Sequence, residues 1–433
     1  MKKVLIITYY WPPGGGSGVR RWLNFSNLLH QHNWQPVIFR PTNAEYPSTD
    51  ESLLRDIHPD TEIVGCLITE PYQLYAKFIG RKGNAVKPGV LFQDAKPGFK
   101  EKLSVWVRSN FFIPDAKMLW IRPANKWLTR YLKENPVDLV VSTGPPHTTH
   151  LIAMKVANRF GIPWIADFRD PWTEIDFFHQ LKLTRLTLWQ HKRLEHRVLT
   201  QSTAQLTVSQ SWGRDLARLG ARNVHVITNG FDEANFSSHQ VSLDRQFTIT
   251  HLGSINNDRN QTPFWQALRE LIDENPQLGE KLSIKMIGDL VDAVKKDIGK
   301  YNLDPFCQFI PFMNHDDAMK AIASSRVLYL PLNNTPNVNG IIPGKVFEYL
   351  AVKRPILAIG PTDGDTAAVL NEASNGVVCN FGDKTKMKEA LLMLFHQYEQ
   401  GIDRIESDNY KKFSRSGLTQ KLVVLMETLS SVK

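Results

Sequence analysis

Cysteine is scarce in this 433-residue chain, which carries only Cys66, Cys307 and Cys379. The number is odd and no pair sits at metal-ligand or redox spacing. That leaves no disulfide framework and points to free thiols in a reducing compartment. Long apolar runs are missing as well, and no stretch approaches the roughly 18 residues needed to span a bilayer. The start, MKKVLIITYY, is basic and then apolar, but it is too short for a signal peptide. It runs into WPPGGG instead of a cleavage site of small residues. A buried first strand and a cytoplasmic protein are expected. Neither low complexity nor a short-period repeat is visible.

What is present reads as a folded protein of two domains. The length exceeds one ordinary core, and 42% hydrophobic with 22% charged residues is a standard globular balance. The net charge of +9 is concentrated. Between Leu74 and Lys133 stand thirteen Lys and Arg against Asp94, Glu101 and Asp115, so the rest is close to neutral. The same stretch holds nine aromatics at or before Trp127, among them Phe78, Trp106, Phe111 and Trp120. Cations interleaved with aromatics suit a peripheral surface for anionic membrane through 74–133. A solvated helix face over ordinary core aromatics has the same composition. No nucleic-acid module accompanies the charge, so nucleic acid is not an expected partner.

Short β-branched runs alternate with helical patterns. VLIIT (4–8), PVIFR (36–40), DLVVS (138–142), PWIAD (163–167), AQLTVS (204–209) and VHVIT (224–228) read as strands. Helices are expected at 19–30, 123–134, 148–160, 181–199 and 211–219. The pattern restarts at QFTITHLG (246–253) and continues through KLSIKMIG, CQFIPF, VLYLPL, PILAIG and GVVCNF. Helices at 263–274, 315–324, 344–352, 364–373 and 384–398 fill the gaps, and a last one follows near 416–429. The polar stretch 229–246 is a plausible linker. This is an α/β chain with two Rossmann-like, doubly wound parallel sheets, whose ligands are expected beyond the carboxyl ends of the strands in a central cleft.

Three motifs of the first half could carry chemistry. In PPGGGSGVRRW (12–22), Gly14, Gly15, Gly16 and Ser17 open a helix and can present amides to an anion. The dinucleotide spacing fails because its third glycine would fall on Val19. In VVSTGPPHTTH (140–150), His147 is placed at a strand end to hold a sugar hydroxyl. With His150 it forms only half of a metal site, and a capping or core role fits either histidine equally well. In IADFRDPW (165–172), Asp167, Arg169 and Asp170 could bind an acceptor hydroxyl or form a buried ion pair.

In the second half, HLGSINNDRN (251–260) repeats the strand–glycine–helix logic, with Gly253, Ser254 and a phosphate-seeking Arg259. The stretch NNTPNVNGIIPGKVFEYLA (333–351) is the most informative. A helix starting near Gly344 would aim its N-terminal amides at a diphosphate, Lys345 adds a full charge, and Glu348 one turn on can take a ribose diol. Asp363 and Asp365 are expected to supply a turn and an N-cap in place of a metal pair.

Taken in order, GGGSG, TGPPHTTH, WIADFRDPW, LTVSQS, VITNGFD, HLGSI and GKVFEYLAVKRPILAI resemble the family-four retaining glycosyltransferases, also called glycosyl transferases group 1. The resemblance implies a GT-B fold, no required metal or other cofactor, and a nucleotide diphosphate sugar as donor. It implies an acceptor-binding domain over 1–232, completed by a C-terminal helix within 410–433, and a nucleotide-sugar domain over 245–409. Glu348 matches the second glutamate of the family's Glu-x7-Glu motif. The first is replaced by Gly340, and Ser254 stands where arginine is usual. Donor contacts are expected from Gly15, Gly16, Gly253, Ser254, Arg259, Asn339, Gly340, Ile341, Ile342, Gly344, Lys345 and Glu348. Acceptor contacts are expected from Gly14, Ser17, Asp167, Arg169 and Asp170. Charge on the leaving diphosphate is the main catalytic demand, expected to be met by Arg259, Lys345 and the amides of 340–345, while His147 is the catalytic residue expected to orient the sugar. The acceptor is expected to be a glycan or a lipid-linked species. Gly340 and Ser254 leave open a non-catalytic glycan- or nucleotide-binding scaffold of the same fold, and a nucleotide-sugar epimerase is a third alternative.

Overall fold

The VLYLP run of the second half shows how the chain builds its layers. Val327 and Tyr329 enter one apolar cluster, whereas Leu328 and Leu330 enter another. Alternate residues therefore serve opposite faces of one sheet, and a strand covered on both faces must read as an unbroken apolar run. The computed structural model describes residues 1–69, 106–107, 109–175, 178–233, 241–402 and 404–431. It divides into two units, Met1–Thr228 with Thr419–Lys433, and Asn229–Leu418.

In the first unit the strands are β1 (Lys2–Ile7), β2 (Trp34–Pro41), β3 (Glu62–Cys66), β4 (Leu139–Gly144), β5 (Trp164–Phe168), β6 (Ala204–Thr207) and β7 (Val224–Val226). All pair in parallel in the order β3-β2-β1-β4-β5-β6-β7, with Val4 opposite both Pro36 and Leu139. The order reverses at β1 and β4, which puts the ligand crevice of such a sheet past Ile7 and Gly144. Helices Ser17–Leu29, Ile121–Glu134, Thr148–Phe160, Arg185–Gln201 and Gln210–Arg218 cover it. Several starts are capped in the expected way: Thr184 and Ser209 accept from the amides of Thr187 and Trp212. The end of helix Arg415–Ser431 belongs here. Glu427 takes hydrogen bonds from Lys2 and, at 2.7 Å, from the Trp34 indole.

The second unit holds β8 (Phe247–Leu252), β9 (Leu282–Ile287), β10 (Cys307–Ile310), β11 (Val327–Pro331), β12 (Ile356–Ile359) and β13 (Val377–Cys379). They are parallel in the order β10-β9-β8-β11-β12-β13, with the reversal at β8 and β11. The fold class is thus two parallel-sheet α/β units, with seven and six strands among the described residues. Two helices missed from sequence, Pro276–Lys281 and Asp292–Lys300, bury little; the second packs only Val294 and Ile298. The helix after Asp363 starts at Asp365 and is capped by Gly364 without a side-chain bond, which corrects the expected aspartate cap. No described helix is long and apolar enough to cross a membrane.

Candidate functional site

The second unit gathers its candidate cations where β8 ends. Leu252 closes the strand, and Gly253 turns the chain with φ +106°, a region that only glycine adopts freely. Its amide bonds the Ile287 carbonyl at 2.7 Å. A Cβ on Gly253 would stand 3.0 Å from the Lys345 Nζ, so the missing side chain is also what admits the lysine. Lys345 donates to the Leu252 carbonyl at 2.6 Å, and its Nζ lies 3.4 Å from the His251 Nε2. One turn on, the Tyr349 hydroxyl accepts the Leu252 amide at 2.9 Å. Residues four apart share a helix face, so one helix holds the two peptide units that flank Leu252 at the strand end.

Burial pushes the Lys345 ammonium down to about 7; the neighbouring Arg259 adds to the shift, while Glu348 opposes it. Arg259 donates from Nη1 to the Ser254 carbonyl at 3.1 Å, and its Nε is buried with no partner. Burial lowers this guanidinium too. Two half-buried cations that repel each other are a pair whose penalties an anion would relieve. The loop after β11 lies beside them, with the Asn334 amide on the Asp258 carbonyl at 2.9 Å.

This loop differs from the expected amide cradle. The Gly340 and Ile341 amides are spent on Asn337 and Val338 carbonyls, and the Ile341 carbonyl accepts from Thr366 at 2.7 Å. Gly340 is buried, Ile342 half-buried, and Asn339 and Gly344 exposed. The helix that follows, Lys345–Ala351, has seven residues. With a helix so short, the side-chain charge of Lys345 outweighs the dipole of its backbone.

In the first unit the glycine loop follows β1. The Gly14 amide bonds Trp11 O and the Gly15 amide bonds Ser48 O, both at 2.9 Å, so neither is open to an anion as expected. Gly16, at φ +96° with nothing near its missing side chain, starts the helix. The expectation for the Ser17 side chain lies outside the described atoms. Asp167 requires a correction. It is fully buried and accepts from Trp22 at 2.7 Å, Thr143 at 2.9 Å and two nitrogens of Arg21 at 3.1 and 3.2 Å. A carboxylate so saturated holds the structure and is not open to an acceptor. Arg21 also donates to the Ile227 and Thr228 carbonyls and ties the first helix to the end of the sheet.

Arg169 takes a different course. It reaches the Pro145 carbonyl at 2.5 Å, its Nε is buried without a partner, and its guanidinium fills the space a Cβ on Gly18 would need. Asp170 next to it is half-buried. His147 is buried and stacked on Trp172, with ring centroids 4.6 Å apart and an interplanar angle of 2°. His150 bonds the Ser142 hydroxyl at 2.8 Å. Burial lowers both rings, His147 well below its ordinary value and His150 to about 3, so both are neutral at pH 7. The start of their helix is already served by Asp115, which accepts the Thr148 amide and hydroxyl at 2.9 and 2.7 Å. Among the described residues no cluster of three or more His, Cys, Asp or Glu is arranged to hold a metal ion.

Two family models match this sequence. Residues 101–230 match the glycosyl transferase 4-like domain, and residues 246–397 match glycosyl transferases group 1. This chain is a GT-B glycosyltransferase.

A comparison of the glycosyltransferase with curated proteins gives no match. Solved structures share its fold at low identity. Sucrose-phosphate synthase from Thermosynechococcus elongatus is 10% identical with a TM-score of 0.63, covering 100% of both chains. The UDP-forming α,α-trehalose-phosphate synthase from Burkholderia vietnamiensis is 12% identical at 0.59, covering 99% of this chain and 100% of its own. HepE from Anabaena, in complex with UDP and glucose, is 12% identical at 0.55, covering 100% and 98%.

Sequence reasoning about this glycosyltransferase missed His251, Tyr349 and Arg21. Tyr349 had a usable signal, its position four residues after Lys345. A lone histidine inside FTITHLG had none, and Arg21 meets a partner 146 residues away.

Proposed function

We propose that this glycosyltransferase moves a sugar from a nucleotide diphosphate sugar to a glycan or lipid-linked acceptor with retention, in the synthesis of cell-surface polysaccharide or glycoconjugate. The observation that carries the reading is the pair of half-buried cations, Lys345 and Arg259, beyond the end of β8, each lowered by burial from its ordinary pKa. The diphosphate leaves against them. The bond between the sugar C1 and the phosphate oxygen breaks, the acceptor oxygen bonds C1 on the same face, and the acceptor proton passes to the departing phosphate. Preorganised donors at the developing charge are the main source of rate, and no metal or protein base is required. Glu348 takes the ribose diol, and Gly253, Ser254, Asn339, Ile342 and Gly344 line the donor. The crystallised HepE complex with UDP-glucose makes a UDP-sugar the first donor to try.

On the acceptor side stand Arg169 and Asp170, with neutral His147 offering a ring nitrogen to a sugar hydroxyl. A peripheral contact with anionic membrane on the cytoplasmic side, through 74–133, brings the enzyme to a lipid-linked acceptor. Residues 74–105 and 108 of that stretch lie outside the described residues. Of the remainder, Lys117 and Trp120 are buried in the first unit and take no part, so the support comes from Trp106 and Phe111. Phe111 and Trp106 are exposed, and Asn110 between them bonds Lys182 and Thr184. Helix Arg185–Gln201 then exposes Leu186 and Trp189 beside Arg185, Lys192 and Arg193, and its one acid, Glu195, is buried.

Gly340 in place of an acid favours a second reading, a GT-B protein that binds nucleotide or glycan without turnover. A thermal-shift screen against UDP-, GDP-, ADP- and TDP-sugars selects the donor, because binding to the native state raises Tm. Nucleoside diphosphate release with a membrane extract then separates the readings. Acceptor-dependent release supports transfer, binding without release supports the scaffold, and release of altered sugar without acceptor supports an epimerase.

A further inference from the structure

His251 has no part in the transfer proposed so far, yet its ring is fully buried on the central strand of the second unit and faces the Lys345 Nζ at 3.4 Å. We propose that His251 is a positioning residue: its Nε2 lone pair and the Leu252 carbonyl together fix the direction in which Lys345 presents its remaining N–H to a phosphate oxygen. The inference rests on the proposed nucleoside diphosphate site and adds a residue to it.

Chemistry at the far side of the ring decides the tautomer. The His251 Nδ1 stands 3.0 Å from the Tyr329 carbonyl oxygen, which can only accept, so Nδ1 carries the proton. A neutral ring protonated at Nδ1 has its lone pair on Nε2, the nitrogen that faces the lysine. The ring is kept neutral first by burial and then by the charges of Lys345 and Arg259; the Tyr329 and Gly253 backbones act in the opposite direction. Lys345 has three N–H bonds to place. Leu252 O takes one at 2.6 Å and His251 Nε2 lies toward a second, which leaves one for a ligand. The Leu252 carbonyl is held in place, because the amide of the same peptide, on Gly253, bonds the Ile287 carbonyl at 2.7 Å and the preceding amide bonds Tyr349. A purely space-filling ring would need only the edge-on contact with Tyr329, centroids 6.1 Å apart, which phenylalanine can supply. Phenylalanine cannot supply the acceptor.

The test uses the full chain and two readouts. The first is the pH midpoint of amine labelling at Lys345, followed by mass spectrometry in the absence of ligand. The second is affinity for UDP, GDP, ADP and TDP by calorimetry. In His251→Phe the labelling midpoint falls, since an acceptor that favours the ammonium is gone. Nucleoside diphosphate affinity drops about tenfold, the scale of one hydrogen bond to a charged group. His251→Gln, which keeps an acceptor, recovers most of both. In a Lys345→Met background His251→Phe changes affinity by less than about twofold, as expected of a residue that works through the lysine. If His251→Phe fails to fold, His251→Gln against His251→Met makes the same comparison at matched length. An unchanged labelling midpoint, or the same loss of affinity with and without Lys345, overturns the proposal. A wild-type chain that binds none of the four nucleotides overturns the donor-site reading instead, and the labelling readout still decides the contact between His251 and Lys345.

Discussion

The side-chain nitrogen of Lys345 lies 2.6 Å from the carbonyl oxygen of Leu252, at the mouth of the second parallel sheet. The cation is therefore held by the backbone of the strand whose end defines the ligand crevice. Burial and Arg259 depress its pKa to about 7, so near neutral pH part of the population carries no charge. A diphosphate restores the proton. Affinity for nucleoside diphosphate is expected to fall as pH rises above about 7, and binding at pH 8 should take up a proton. Calorimetry in buffers of different ionisation heat measures that uptake directly. Binding at pH 8 with no proton uptake would count against the assignment.

Asp167 and Arg21 form a buried ion pair whose side chains are 0% and 2% exposed. Removing one partner strands the other charge out of water, a loss on the order of 3–5 kcal/mol. Asp167→Ala should therefore lower the stability of the first unit by that amount in denaturant unfolding. A loss under about 1 kcal/mol would show that Asp167 does not hold the structure and is free to meet an acceptor.

Glu195 is buried against Thr173, which donates its hydroxyl at 2.5 Å, and burial raises the carboxyl to about 7. A raised folded-state pKa means that the folded chain holds a proton that the unfolded chain gives up above about 4.5. The stabilisation is whole below that point and is lost as pH rises through about 7. Glu195→Gln removes the proton linkage. It should raise Tm at pH 8 and change it little at pH 4.5, as differential scanning calorimetry will read. Equal shifts at both pH values would contradict the linkage.

Leu186 and Trp189 are 64% and 53% exposed on a helix whose outward charges are all positive. Vesicles containing phosphatidylglycerol should carry the protein in flotation, and phosphatidylcholine vesicles should not. Replacing both residues by serine should cut the bound fraction about fivefold, and 0.5 M salt should weaken it further. Indifference to lipid charge would show that this face does not meet a membrane.

Much of the fold was legible because its signals are local. Helices Thr148–Phe160 and His315–Ser324 fall on the expected residues, since apolar periodicity and adjacent turn chemistry mark their ends. Strand β3 was missed because Glu62–Cys66 is an edge strand with little buried apolar surface. The site divides the same way. Gly253, Arg259 and Lys345 stand in short motifs whose chemistry is readable alone. The spent amides of Gly14, Gly15, Gly340 and Ile341 depend on loop hydrogen bonds, which no motif reveals. The Arg21–Asp167 pair joins residues far apart in the chain, so the motif that holds Asp167 points to the nearby Arg169 and conceals its actual partner.

The most direct measurement is the turnover of nucleoside diphosphate release for Lys345→Met, with the donor that stabilises the wild-type chain. Loss of a charge-stabilising donor in a desolvated site should lower kcat by about 10²–10³. A variant that turns over within a factor of about two of wild type would show that the leaving diphosphate is stabilised elsewhere.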